Sequence, residues 1–173
     1  TIDSIAEEAG MSHANVYRYF PSKQALVEAV TDYWLRPIEA GLRDIVDGPD
    51  PAYDKLERIL SALQRAYRDT LDKDENLFQI FADATAKSSA VSRRHRKRVQ
   101  LEIQRVIDEG MSSGAFLGGD QRRALAMVFD SLFRFIHPVA ARLDHDARPE
   151  QLAVRFDRVL QLLLRGLVRG LNK

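Results

Sequence analysis

Residues 1–23 read TIDSIAEEAGMSHANVYRYFPSK. Thr1 is placed to cap a short helix from Ile2 to Ala9, and Gly10 to stop it. Ser12 is placed to cap a second helix, which Pro21 ends. At about 100° per residue, His13, Ala14, Tyr17 and Arg18 share one arc of that second helix. Val16, Tyr19 and Phe20 share another, with Asn15 at the margin. The helix is therefore expected to pack through the second set and to present the first outward. The outward set suits base edges and phosphates: arginine for guanine, a small side chain or methyl for thymine, hydroxyl and imidazole for either. Counting from Ile2, the small Ala6 is fifth, Gly10 ninth and the apolar Val16 fifteenth. Two closely crossing helices need a small fifth residue. A left-handed turn at the ninth suits glycine, and an apolar fifteenth fills the space between them. The spacing predicts a helix-turn-helix whose second helix lies in a major groove. The bland alternative is the same motif used only for packing.

Working outward, Ser22 is placed to cap a third helix from Lys23 to about Val46, with Pro37 predicting a kink inside it. GPDP, residues 48–51, breaks the chain, and the domain boundary is placed there. That gives a small domain, 1–47, and a larger one, 48–173. The larger domain reads as helices over 51–71, 76–86, 89–111, 121–143 and 150–171. Pro138 is a predicted kink, and loops fall at 112–120 and 144–149. No stretch alternates as a strand does. The fold class is all-α.

The composition, 45% apolar and 29% charged over 173 residues, is that of an ordinary folded chain. There is no cysteine, which excludes disulfides, thiolate catalysis and cysteine-ligated zinc. The net charge of +1 leaves an anionic partner to be decided by charge distribution. No apolar run is read as a bilayer span, so no membrane partner is expected and a cytoplasmic location is. The four histidines, His13, His95, His137 and His145, show no ligand-like or triad-like spacing to carboxylates. No Gly-rich phosphate loop is visible either. No enzyme activity, metal or cofactor is expected.

The stretch TIDSIAEEAGMSHANVYRYFPSKQALVEAV, residues 1–30, resembles the DNA-binding region of the TetR family of bacterial one-component transcriptional regulators. The matches are Thr1, Ile5, Ala6, Ala9, Gly10, the Val16–Tyr17 pair, Phe20, Ser22, Lys23 and Leu26. Beyond it only the helical layout is similar. The resemblance implies a homodimer with a C-terminal ligand domain, whose repression of a double-stranded DNA operator a small molecule relieves. It implies that Thr1, Tyr17 and Lys23 hold phosphates, while His13, Ala14, Asn15 and Arg18 face the bases. Lys23 also opens the third helix, where free N–H groups favour an anion. Two departures stand out. The family has a further helix before Thr1, so the chain is expected to be truncated there. Residues 1–47 also carry four Lys or Arg against eight Asp or Glu, a poor electrostatic footprint for DNA.

In the larger domain the last two helices, LAMVFDSLFRFIHPVA and FDRVLQLLLRGLVRGL, read as apolar on more than one face, so each needs covering on two sides. The candidates for a partner-facing surface are Phe129, Leu132, Phe156, Val159, Leu163, Leu167 and Leu171, which matches the four-helix dimer bundle that the resemblance implies. A pocket for a hydrophobic or aromatic effector is expected around Tyr67, Phe78, Phe81, Phe133 and the polar His137. The basic run SRRHRKR, residues 92–98, reads as a solvated face or as a secondary anion contact. LDHDARPE, residues 143–150, reads as a turn. The competing function is an all-helical adaptor that binds protein and has no DNA affinity.

Overall fold

The computed structural model describes residues 19–117, 119–144 and 147–170. Among these the chain is all-α: α1 (Lys23–Asp47), α2 (Ala52–Lys73), α3 (Glu75–Ala86), α4 (Ala90–Ser112), α5 (Gln121–Ile136), α6 (Pro138–Arg142) and α7 (Pro149–Arg169). The expected helix-turn-helix lies outside the described residues, and with it Thr1, His13, Ala14, Asn15, Tyr17 and Arg18.

Polar side chains start several helices. Ser22 accepts from the Ala25 N–H, Asp74 from Leu77, Ser89 from Ser92 and Asp120 from Arg122. Each satisfies an N–H that the first turn leaves without a partner, a contribution of about 1 kcal/mol. Pro37 lies within α1 without ending it. Pro138 does more than the expected kink. His137 before it is extended (φ −97°, ψ 120°), and Pro138 starts the separate α6. Proline pushes its predecessor out of the helical region and is itself suited to a first turn. By length and composition Gln121–Arg142 is long and apolar enough to cross a bilayer, a property the sequence reading missed. In the fold it is two helices, and Ala124, Val128 and Leu132 of the first are fully buried.

Helix α2 organises the core, packing against each of the other six described helices. Its stripe of Leu56, Ile59, Leu60, Leu63 and Tyr67 recurs at helical spacing and is buried throughout. Facing it are Phe78 and Phe81 of α3, Ile103 and Ile107 of α4, Val128 and Leu132 of α5, and Leu160 and Leu164 of α7. Lys55 reaches across to Glu109 of α4 at 2.8 Å with its side chain only 7% exposed. Phe116 folds back onto α4 at Gly110, where an added Cβ would sit 2.1 Å from the ring. Only glycine permits that approach. GPDP ends α1 as expected, but the packing divides earlier. Phe20, Leu26 and Val30 form a small cluster of their own, and the main core begins at Leu35.

The outer helices correct the choice of partner-facing residues. Leu132, Phe156, Leu163 and Leu167 are buried within the subunit. Val159 is partly buried against the same core, and Phe129 likewise. Leu171 lies outside the described residues. Helix α7 covers both α5 and α2, so its inner apolar stripe is wide. The apolar residues it leaves outside are Leu162, Val154 and Val168, at 68%, 49% and 38% exposure.

Candidate functional site

A cavity of about 800 Å³ lies among α2, α3, α4 and α5. That is within the size range of small-molecule sites. Of the residues nominated from the sequence, Tyr67, Phe81, Phe133 and His137 stand in its wall. Phe78 does not. It is fully buried behind the wall, edge-on to Trp34 at 6.4 Å and to Tyr67 at 6.0 Å. Phe129, nominated for a partner surface, lines the cavity instead.

The polar part of the wall comes mainly from α4. Arg93, Arg96, Gln100 and Gln104 follow one another at three- or four-residue steps, one stripe of a helix. Gln121, Arg122 and Asp130 of α5 add to it. The basic run therefore divides by face. Arg93 and Arg96 take the cavity side, while Arg94 approaches Asp32 of α1 at 3.9 Å and Arg98 pairs with Glu39 of α1 at 2.5 Å.

The cavity wall is also wired to α1. The Tyr67 hydroxyl lies 2.7 Å from His95 Nε2, and His95 Nδ1 lies 2.9 Å from Glu39 Oε1. All three side chains are buried. A carboxylate can only accept, so His95 Nδ1 carries the proton; in the neutral imidazole, Nε2 then accepts the Tyr67 O–H. Burial by itself raises the Glu39 carboxyl, but the hydrogen bonds from His95 and Arg98 outweigh it and leave the group below the usual carboxylate range. Burial, and secondarily the Glu39 charge, pushes the Tyr67 phenol far up, so it stays protonated. His137 is stacked on Phe133 with centroids 4.4 Å apart. Its Nδ1 is buried without a hydrogen-bond partner. Burial, then the Arg96 charge, holds its imidazole below the usual histidine range.

Glu39, His95 and Arg98 escaped the sequence reading. A signal for His95 existed: it sits three residues after Ser92 and four before Val99, both buried, so its phase is inward despite the arginines around it. Lys23, the nominated phosphate contact within the described residues, is exposed on the first turn of α1 beside the Ser22 cap. Asp144, of the nominated turn, pairs with Arg134 at 2.7 Å.

Comparison with known proteins bears on the family and the fold. Residues 52–160 match the family model described as tetracyclin repressor-like, C-terminal domain, and residues 1–30 match that of bacterial regulatory proteins, tetR family. The HTH-type transcriptional regulator RutR of Escherichia coli is 39% identical over 70 residues, which span 38% of this chain but only 32% of that protein. The TetR family regulator PfmR from Thermus thermophilus has a similar fold, with a TM-score of 0.64 at 18% identity, over 100% of this chain and 90% of that one. A TetR/AcrR family regulator from Thermobifida fusca gives a TM-score of 0.65 at 18% identity, over 99% and 87%. Matched at both ends by the family's models and sharing its helical fold, the chain belongs to the TetR family of bacterial regulatory proteins and is not an enzyme.

Proposed function

We propose that this regulator binds a palindromic DNA operator as a homodimer and represses from it, until a small molecule in the α2–α5 cavity releases it. The observation that carries the reading is the buried Tyr67–His95–Glu39 chain, which runs from the cavity wall to α1. Helix α1 begins five residues after Arg18, the last residue of the proposed reading set. A ligand that alters the Tyr67 end changes the seating of α1, and with it the spacing of two reading helices. DNA favours a spacing near one helical turn, about 34–36 Å. A ligand shifts the balance only by binding the two arrangements unequally.

In this reading Thr1, Tyr17 and Lys23 hold phosphates, and His13, Ala14, Asn15 and Arg18 meet the bases. The small domain is residues 1–47 and the ligand and dimer domain 48–173, with a cytoplasmic location following from the DNA partner. The test is selection of preferred sites from random duplex DNA. A short enriched palindrome supports a dimeric reader. No enrichment at low salt by folded protein would instead favour the adaptor without DNA affinity. Arg18→Ala is expected to cost about 1–3 kcal/mol and to relax preference at one base position.

A further inference from the structure

The cavity's chemistry narrows what it takes. Arg93, Arg96 and Arg122 all stand in its wall, and among the described residues none of the three forms an ion pair. Arg93 donates to the Ser88 carbonyl. Unpaired arginines are ordinary on a convex surface. These three share a concave wall with the amides of Gln100, Gln104 and Gln121, and among the described residues Asp130 is the only carboxylate in that wall. Guanidinium and amide groups that line one volume match an anion's oxygens, and arginine can do so with two parallel bonds. The wall also holds an apolar part, with Leu63, Phe81, Val99, Leu125 and Ile136. In the same wall, the His137 ring leaves a buried nitrogen without a partner.

We infer that the ligand is an amphipathic anion, with a carboxylate held by Arg96, Arg122 and Arg93 and an apolar body against Phe81, Val99 and Leu125. This rests on the cavity being the ligand site, and it adds a charged group to the hydrophobic or aromatic effector expected from the sequence. Lone apolar molecules leave the three guanidiniums without an anionic partner, whereas a carboxylate satisfies them at the edge of a low-dielectric pocket.

The test uses the full chain and three molecules that share a dodecyl tail: dodecanoate, dodecanol and dodecylammonium, each below its aggregation threshold. A second series, naphthoate and naphthol, separates an aromatic body from a linear one. Binding is read by calorimetry. The expected result is that at least one carboxylate binds about tenfold or more tightly than its matching alcohol, with the ammonium weakest. The preference should vanish in Arg96→Gln/Arg122→Gln and persist in Arg94→Gln, whose side chain turns to Asp32 of α1. Equal binding of acid and alcohol, a preference for the ammonium, or a carboxylate preference that survives the double substitution would overturn the anion assignment while leaving the cavity a ligand site. If no molecule of either series bound the folded protein, the anion assignment would fail and the cavity reading with it.

Discussion

At the scale of single residues, the buried Glu39 carboxylate is the most exacting feature. It accepts from His95 at 2.9 Å and from Arg98 at 2.5 Å. Glu39→Gln keeps the shape but removes the charge, and is expected to lower unfolding free energy by about 1–3 kcal/mol in urea. The pH dependence has a definite sign. The folded-state value lies below the unfolded one, so the contribution is complete above the ordinary carboxylate range, about 4.3. It is lost as pH falls through the lower folded value. Stability of the parent protein should therefore fall more steeply with acid than that of Glu39→Gln, and equal slopes would mean the charge contributes nothing. Gly110 makes a second residue-level case. Its missing Cβ leaves room for the Phe116 ring, so Gly110→Ala should destabilise by about 1–3 kcal/mol through overpacking. In a Phe116→Ala background that penalty should shrink, and a penalty unchanged in the double mutant would place its origin elsewhere. Neither feature was legible in the sequence. Glu39 reads as one more exposed helical acid, and nothing local in GMSSGAF says which ring returns to the glycine.

At the scale of elements, helical periodicity was legible and helix faces were not. The α2 stripe from Leu56 to Tyr67 is buried as its spacing implied. Helix α4 carries three faces at once: His95, Val99 and Ile103 in the core, Arg94 and Arg98 against α1, and Arg93, Arg96 and Gln100 at the cavity. A run of five basic residues within seven hides that division, because charge alone does not say which partner lies on which side. If the cavity is the ligand site, as proposed, the division makes α4 the bridge between ligand and α1, and Tyr67 the contact at which the bridge is tested. Tyr67→Phe keeps the ring in the wall and removes only the O–H to His95. The variant is expected to bind ligand still, while the ligand's effect on operator affinity falls by about 1 kcal/mol or more. Operator titrations with and without saturating ligand measure it, and undiminished coupling would place the lever elsewhere. Trp34, the single tryptophan, is an internal reporter. It sits on α1, 5.1 Å from Phe81 of the cavity wall, so ligand binding should change its emission.

At the scale of the whole molecule, the question is what covers the outside of α7. The sequence reads this helix as apolar on more than one face, and the described residues nominated for a partner on it lie within the subunit's own core. The leucine run from Leu162 to Leu164 wraps past the boundary of the inner face: Leu163 and Leu164 are buried and Leu162 is 68% exposed. A two-fold partner would bury Leu162 and Val154 against their own copies, since such an interface is self-complementary. Leu162→Glu should therefore shift the protein from dimer to monomer in sedimentation equilibrium while leaving the subunit's fold intact, because the side chain touches little of its own core. Leu163→Glu, at a position only 4% exposed, should unfold the subunit instead, and the contrast between adjacent residues separates an interface effect from a folding one. The consequence reaches DNA. On the proposed function, a monomer would hold one reading helix and lose the gain from engaging two half-sites at once. Leu162→Glu should then bind a palindrome no better than a single half-site. A variant that stayed dimeric and kept its preference for the palindrome would move the interface off this face of α7.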